Sequence, residues 1–232
     1  MRTILAILFC AGGVAVLVGL GIWQLQRLEW KRGVLSEIEA RIGTGPVRLP
    51  DAPNPDTDGY LPVVVDGVIA FATEAGDPGG QPIRVFGAWR GGTGYRIVAP
   101  LESDRRRVMV DLGIVPLDSG GAVDLPEGPL SVTGNLAWPD ETGAATPGPS
   151  GAEYYARDVA DMARFLGTEP VLIVAREVSP PPGTRLAPVG VDGIPNNHLG
   201  YAVQWFGLAL VWAGMTAFYG WRITRRADET AD

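Results

Sequence analysis

The chain of 232 residues holds one histidine, His198, within the run Asn196-Asn197-His198-Leu199-Gly200-Tyr201-Ala202 and two residues before a long uncharged apolar stretch. Imidazole is the side chain best suited to ligating a metal or titrating near neutrality, and here it stands where water would meet membrane. Around it are the residue types of a flat-ligand cleft: Trp23, Gln24, Arg27 and Trp30 near the end of one apolar stretch, and Tyr201, Gln204 and Trp205 at the start of another. One arrangement would make His198 an axial ligand, with the aromatics stacked on a macrocycle and Arg27 or Lys31 paired with its propionates. The other is an aromatic belt with snorkelling cations, in which His198 only caps or polarises a helix entrance.

The rest of the chain is poor in reactive groups. One histidine and one cysteine exclude a zinc cluster, a Cys-His dyad and a Ser-His-Asp triad within the chain. A copper site is also disfavoured, because only Met1, Met109, Met162 and Met215 could supplement those two residues. Gly91-Gly92-Thr93-Gly94 lacks the lysine of a phosphate loop and reads as a turn, while the carboxylates Asp140-Glu141 fall in a presumed linker. An enzyme is not expected.

Two elements must position the histidine. From Thr3 through Gln26 no residue is charged, and Ile4–Trp23 is long enough to cross roughly 30 Å of hydrocarbon as a helix. Gly200–Trp221 repeats the pattern, and all 20 prolines lie between Pro46 and Pro195, outside both stretches. The first stretch is longer than a signal-peptide core and leads into Trp23-Gln24-Leu25-Gln26-Arg27 without a small-residue cleavage site, which predicts an uncleaved anchor. Phe9 before Cys10 argues against a lipoprotein anchor, leaving Cys10 as an apolar lining residue. The expected division is a transmembrane helix over 1–26, a β-rich domain over 27–199, a second transmembrane helix over 200–221 and a tail over 222–232.

Arg222, Arg225 and Arg226 in the tail favour both termini inside, with the large domain translocated. The chain opens directly into its first span without an Arg- and Ser-rich amphipathic leader, so the expected location is a bacterial inner membrane with the domain in the periplasm. Residues 27–199 carry 15 basic and 23 acidic side chains. That excess of negative charge argues against a nucleic-acid partner, and Arg105-Arg106-Arg107 reads as a solvated hairpin turn.

With its one cysteine placed in a span, the domain must be stabilised by burial alone. Leu61–Phe71, Ile83–Trp89, Tyr95–Ala99, Arg107–Val115, Leu130–Ala137 and Val171–Ala175 read as strands, each rich in Val or Ile and bounded by Gly, Pro or Asp. Val159, Met162, Ala163 and Leu166 recur at helical spacing between Arg157 and Gly167. The predicted fold is membrane-anchored α+β: two terminal transmembrane helices and an antiparallel sheet or partly open barrel with one helix. The three prolines within Ser179–Gly183 predict a stiff extended linker back toward the membrane.

Two blocks, Leu20-Gly21-Ile22-Trp23-Gln24-Leu25-Gln26-Arg27-Leu28-Glu29-Trp30-Lys31 and Asn196-Asn197-His198-Leu199-Gly200-Tyr201-Ala202-Val203-Gln204-Trp205-Phe206, resemble the signature blocks of the Surfeit locus protein 1 family. Gly94–Pro100 and Val110–Pro116 resemble its central segments, except that Leu112-Gly113-Ile114-Val115-Pro116 stands where the family usually has Arg-Gly-Trp-Val-Pro. The resemblance implies an assembly factor for haem-copper cytochrome c oxidase, a chaperone of respiratory-chain biogenesis that aids delivery of haem a to subunit I. His198 matches the family histidine implicated in haem a binding; Trp23, Gln24, Arg27, Tyr201 and Trp205 extend the expected site by depth and chemistry. The implied partners are subunit I, possibly haem a synthase, and the lipid bilayer. A haem-free scaffold for a subunit I intermediate or for the synthase is the alternative.

Overall fold

The computed structural model describes residues 2–71, 78–89, 92–119, 123–191, 194 and 196–229, which divide into two compact units. One comprises Met1–Glu37 with Asp192–Asp232, and the other Ile38–Val191.

The first unit is helical. Helix α1 runs from Arg2 to Ile42, 41 residues without a proline, and the amides of Gly43 and Thr44 close its last turn on Glu39 and Arg41. At 1.5 Å per residue it is about 60 Å long, twice the thickness of a bilayer core, so only its uncharged N-terminal half suits hydrocarbon. Helix α4, His198–Glu229, begins directly after Asn197, whose carbonyl accepts from the Tyr201 amide at 3.2 Å. Both helices are long and apolar enough to cross a membrane.

The second unit is a barrel with an added flap. Its strands are β1 (Val47–Arg48), β2 (Pro62–Ile69), β3 (Ile83–Trp89), β4 (Gly92–Ser103), β5 (Arg106–Pro116), β6 (Pro129–Ala137), β7 (Glu153–Tyr154) and β8 (Leu172–Ser179). The short helix α2 spans Pro55–Asp58, and α3 spans Val159–Leu166. Five strands form a ring in the order β2-β6-β8-β5-β4, closed where Val68 and Ile69 of β2 meet Glu102 and Leu101 of β4. Gly67 permits that seam, because a Cβ there would lie 2.3 Å from the Glu102 carbonyl oxygen. The sequence expectation of an antiparallel sheet or partly open barrel is thus sharpened to a five-stranded barrel. Within the ring β5 and β8 pair in parallel, and outside it β1 runs parallel to β2 and β7 to β3.

Alternation along the strands builds two cores. Ala99, Leu101, Val108, Val110, Leu112 and Ile173 fill the barrel interior. Val98, Met109, Leu172 and Val174 face outward and are covered by Val159, Met162, Ala163 and Leu166 of α3. That helix is capped at both ends: the Asp158 side chain accepts from the Asp161 amide, and Gly167 ends it with φ of 62°.

The Arg105-Arg106-Arg107 run does form a hairpin turn, with positive φ at Asp104 and Arg105, but two of its arginines are pinned. Arg106 donates to both oxygens of Glu169 at 3.0 and 2.6 Å and to the Pro50 carbonyl at 2.6 Å; Arg107 donates to the Ala70 carbonyl at 2.7 Å. The segment after the triple proline is not a free linker. Arg185 exchanges backbone hydrogen bonds with Ile114 at 2.8 and 2.9 Å, the Thr184 hydroxyl donates to the Leu112 carbonyl, and Arg96 donates to the Ala187 carbonyl at 2.7 Å. This strap crosses β5 at Gly113, whose φ of 97° disfavours a side chain and where an added Cβ would stand 2.2 Å from the Arg185 carbonyl oxygen.

Candidate functional site

Helices α1 and α4 pack antiparallel through small residues set against rings. A Cβ on Gly21 would stand 2.6 Å from the Phe206 ring, and one on Gly13 would stand 2.9 Å from Trp212. Ala202 and Ala209 are buried on the same side of α4, and Gly21, Gln24 and Leu28 are buried on α1. Close approach through glycine and alanine is how helices associate where lipid removes the hydrophobic driving force.

At the top of this seam His198 Nδ1 lies 2.7 Å from Gln24 Oε1. Gln24 Oε1 can only accept, so this contact is a hydrogen bond when Nδ1 carries the hydrogen, and in the neutral ring of that tautomer the lone pair resides on Nε2. Gln24 is only 9% exposed and His198 is half-buried in the first turn of α4. An amide oxygen buried there requires a donor, which the imidazole supplies.

The other expected site residues are distributed around the pair. Trp205 is half-buried, about 20° around α4 from His198, whereas Tyr201, 51% exposed, lies on the flank. Trp23, Arg27 and Trp30 share one face of α1, as their spacing predicts, about a third of a turn from the buried Gly21-Gln24-Leu28 face. The Arg27 guanidinium sits 3.9 Å over the Trp30 ring, while Trp23 and Trp30 are more than half exposed. The structure therefore joins His198 directly to Gln24, sets Trp205 below them, and leaves Trp23, Arg27 and Tyr201 on open faces.

Further along the same two helices is a groove of about 650 Å³, lined by Phe9, Gly12, Gly13, Leu17, Trp212 and Met215 among others, and almost wholly apolar. Gly13 is eleven residues from Gln24, roughly 16 Å along the helix axis. Sequence reasoning missed this groove and the ring-on-glycine seam. The signal was present in the glycines at 12, 13 and 21 inside an apolar helix.

The barrel has a polar centre of a different kind. Asp111 on β5 has a fully buried carboxylate that accepts from Arg96 Nε at 2.7 Å and from the Gly113 amide at 3.0 Å, with Arg157 Nη1 at 3.7 Å. Arg157 in turn grips Glu141 through Nε and Nη2. Burial pushes the Glu141 carboxyl upward, but the hydrogen bonds and charge of Arg157 outweigh it and hold the group below the usual carboxylate range. Cavities of about 210 and 460 Å³ lie on either side, and Arg96 and Arg157 line both. Asp140 and Glu141, placed by sequence in a linker, are thus partly structural: Asp140 accepts from the Thr142 hydroxyl at 2.7 Å and Glu141 closes the arginine chain. Among the described residues no cluster of three or more His, Cys, Asp or Glu side chains is arranged to hold a metal ion.

A pair of long apolar helices joined to a small closed β-barrel, with a lone imidazole at the head of the helix seam, defines the class. The chain belongs to the SURF1 family, whose model matches residues 11–210. It is 29% identical over 214 residues to Surfeit locus protein 1 of Homo sapiens, covering 82% of this chain and 69% of that protein. A SURF1-like protein of Drosophila melanogaster is 30% identical over 214 residues, covering 84% and 71%. One of Monosiga brevicollis is 27% identical over 216 residues, covering 88% and 83%.

Proposed function

We propose that this chain is a membrane-anchored assembly factor for haem-copper cytochrome c oxidase that holds haem a at the membrane interface and aids its delivery to subunit I. The carrying observation is the 2.7 Å contact between His198 Nδ1 and Gln24 Oε1, which leaves Nε2 as the ring's ligating nitrogen. The donor chemistry fits haem: a neutral imidazole can hold iron through Nε2, and the apolar groove between the same helices matches a farnesyl tail. Haem a, when bound, would supply the iron that the imidazole ligates. The chain's own work is to present that nitrogen, keep a path open to lipid, and release its cargo.

Release is favoured by ligand supply. No second histidine exists, and Cys10 lies fourteen residues from Gln24, roughly 21 Å down α1. A single endogenous ligand suits transfer better than permanent retention. Arg27 and Lys31 on α1 are the cations that the sequence sets near that depth to face propionates. The setting is the inner membrane of a bacterium, with the barrel in the periplasm, both termini cytoplasmic, and subunit I or haem a synthase as partner.

The absorption spectrum of the purified full chain, coproduced with haem a synthase, tests this reading. Wild type should carry haem a, and His198→Ala should lose at least about tenfold in occupancy. Equal haem in both proteins would sink the ligand assignment. Absence of haem from both, with subunit I or the synthase copurifying equally, would establish the haem-free scaffold instead.

A further inference from the structure

We infer that Gln24 is a positioning residue for His198, selecting the Nδ1–H tautomer so that Nε2 is presented, unprotonated, on the far side of the ring. The sequence placed Gln24 among the groups touching the cofactor. The geometry gives it another task, because its Oε1 already accepts from Nδ1 at 2.7 Å and the residue is 9% exposed on the helix face turned to α4.

A solvated histidine side chain favours the opposite tautomer, with the hydrogen on Nε2. A ring in that form would have its ligating lone pair on Nδ1, the nitrogen nearer the backbone and hindered by it. With Gln24 Oε1 turned to the ring at 2.7 Å, the Nδ1–H form gains a hydrogen bond, whereas the Nε2–H form would set the lone pairs of Oε1 and Nδ1 against each other. Gln24 sits within the helix seam. Gln24 is flanked on its buried face by Gly21, which abuts the Phe206 ring, and by buried Leu28. The seam thus fixes the height of α4 against α1, and with it the register between Gln24 and His198. The inference depends on the haem reading for its purpose, but the tautomer is a property of the chain alone.

The test uses the full-length protein in detergent micelles with ¹⁵N-labelled histidine. As the chain has one histidine, every imidazole signal belongs to His198. With the ring neutral, long-range ¹H–¹⁵N correlations in wild type should show Nδ1 protonated and Nε2 bare. Gln24→Leu should shift the ring toward the Nε2–H form, and Gln24→Glu, which keeps an acceptor, should restore Nδ1–H. A wild-type ring in the Nε2–H form, or identical tautomers in wild type and Gln24→Leu, would overturn the inference. The wild-type spectrum decides even if a variant fails to fold.

Added haem a then separates the two ideas. Gln24→Leu should bind it about tenfold more weakly and Gln24→Glu close to wild type, the size expected when a partner orienting a metal ligand is removed. Equal binding by wild type and Gln24→Leu would refute the positioning role. Failure of all three proteins to bind would refute the haem reading and leave the tautomer result standing.

Discussion

The barrel and the helix pair treat their buried polar groups in opposite ways. In the barrel, Asp111 is enclosed by Arg96, Arg157 and the Gly113 amide, and Arg157 is closed off by Glu141. These charges answer one another and fix where β4, β5 and the strap at Ala187 lie. In the helix pair a single polar contact joins Gln24 to His198, and it engages only one of the imidazole's two nitrogens. Polar groups in the barrel specify shape; the pair in the helices leaves a ligating atom available. The difference sets the closed charge network of the barrel apart from the helix pair, where the proposed function places its chemistry.

The sharpest way to break this contrast is to open the barrel network. Asp111→Ala would leave Arg96 and Arg157 without their shared counterion, each with only about a fifth of its side chain exposed. Loss of one partner from a buried ionic cluster costs about 3 to 5 kcal/mol, and the lower end applies here because both cations can still reach water. Hydrogen exchange of β5 and β8 in the full chain should show that loss. The tautomer of His198 should not change in whatever fraction stays folded; a change would mean that the barrel participates in setting the site.

A smaller effect is expected from crowding the helix seam. Gly21→Leu drives a branched side chain into the Phe206 ring, and overpacking of this kind costs about 1 to 3 kcal/mol. The helix pair should loosen in denaturing detergent, and the His198–Gln24 contact should weaken with it, while exchange in the barrel remains as in wild type. Adding Phe206→Ala should recover part of the loss, giving a coupling energy of the sign expected for direct neighbours. No recovery would show that the ring and the glycine do not meet.

How far the sequence revealed these regions follows from the range of the interactions involved. Local patterns were readable: β3 matches the expected Ile83–Trp89, and α3 lies between Arg157 and Gly167 as the spacing of its apolar residues predicts. Closure of the barrel was not readable, because it depends on the two residues Val68 and Ile69 reaching Glu102 and Leu101, a contact that leaves no periodicity. Nor was the parallel pairing of β8 with β5, since alternating Val and Ile fit either direction. Arg96, Asp111, Arg157 and Glu141 come from four separate segments, and nothing in their spacing unites them. His198 stood out because it is the only one of its kind and lies at a helix entrance. Gln24 could be placed at the same depth, but its role required the hydrogen bond.

The mildest prediction concerns the ion pair at the hairpin turn, where the barrel meets water. The hydrogen bonds of Arg106 hold the Glu169 carboxyl below its ordinary value of 4.5, against a smaller opposing effect of burial. A carboxyl depressed in the folded state contributes stability that is present above the unfolded value and is lost as pH falls through the folded one. Wild-type barrel stability should therefore decline below about pH 4.5, and Glu169→Gln should flatten part of that decline while lowering the neutral baseline slightly. With the Glu169 side chain 38% exposed, solvent screens the pair, and the baseline loss should stay below about 1 kcal/mol. Glu141→Gln should flatten the acid limb as well, since Arg157 also holds that carboxyl below its ordinary value. Hydrogen exchange of β8 between pH 6 and 3 reads both variants, and an unchanged acid slope in Glu169→Gln would show that Arg106 is held by the Pro50 carbonyl and packing rather than by charge.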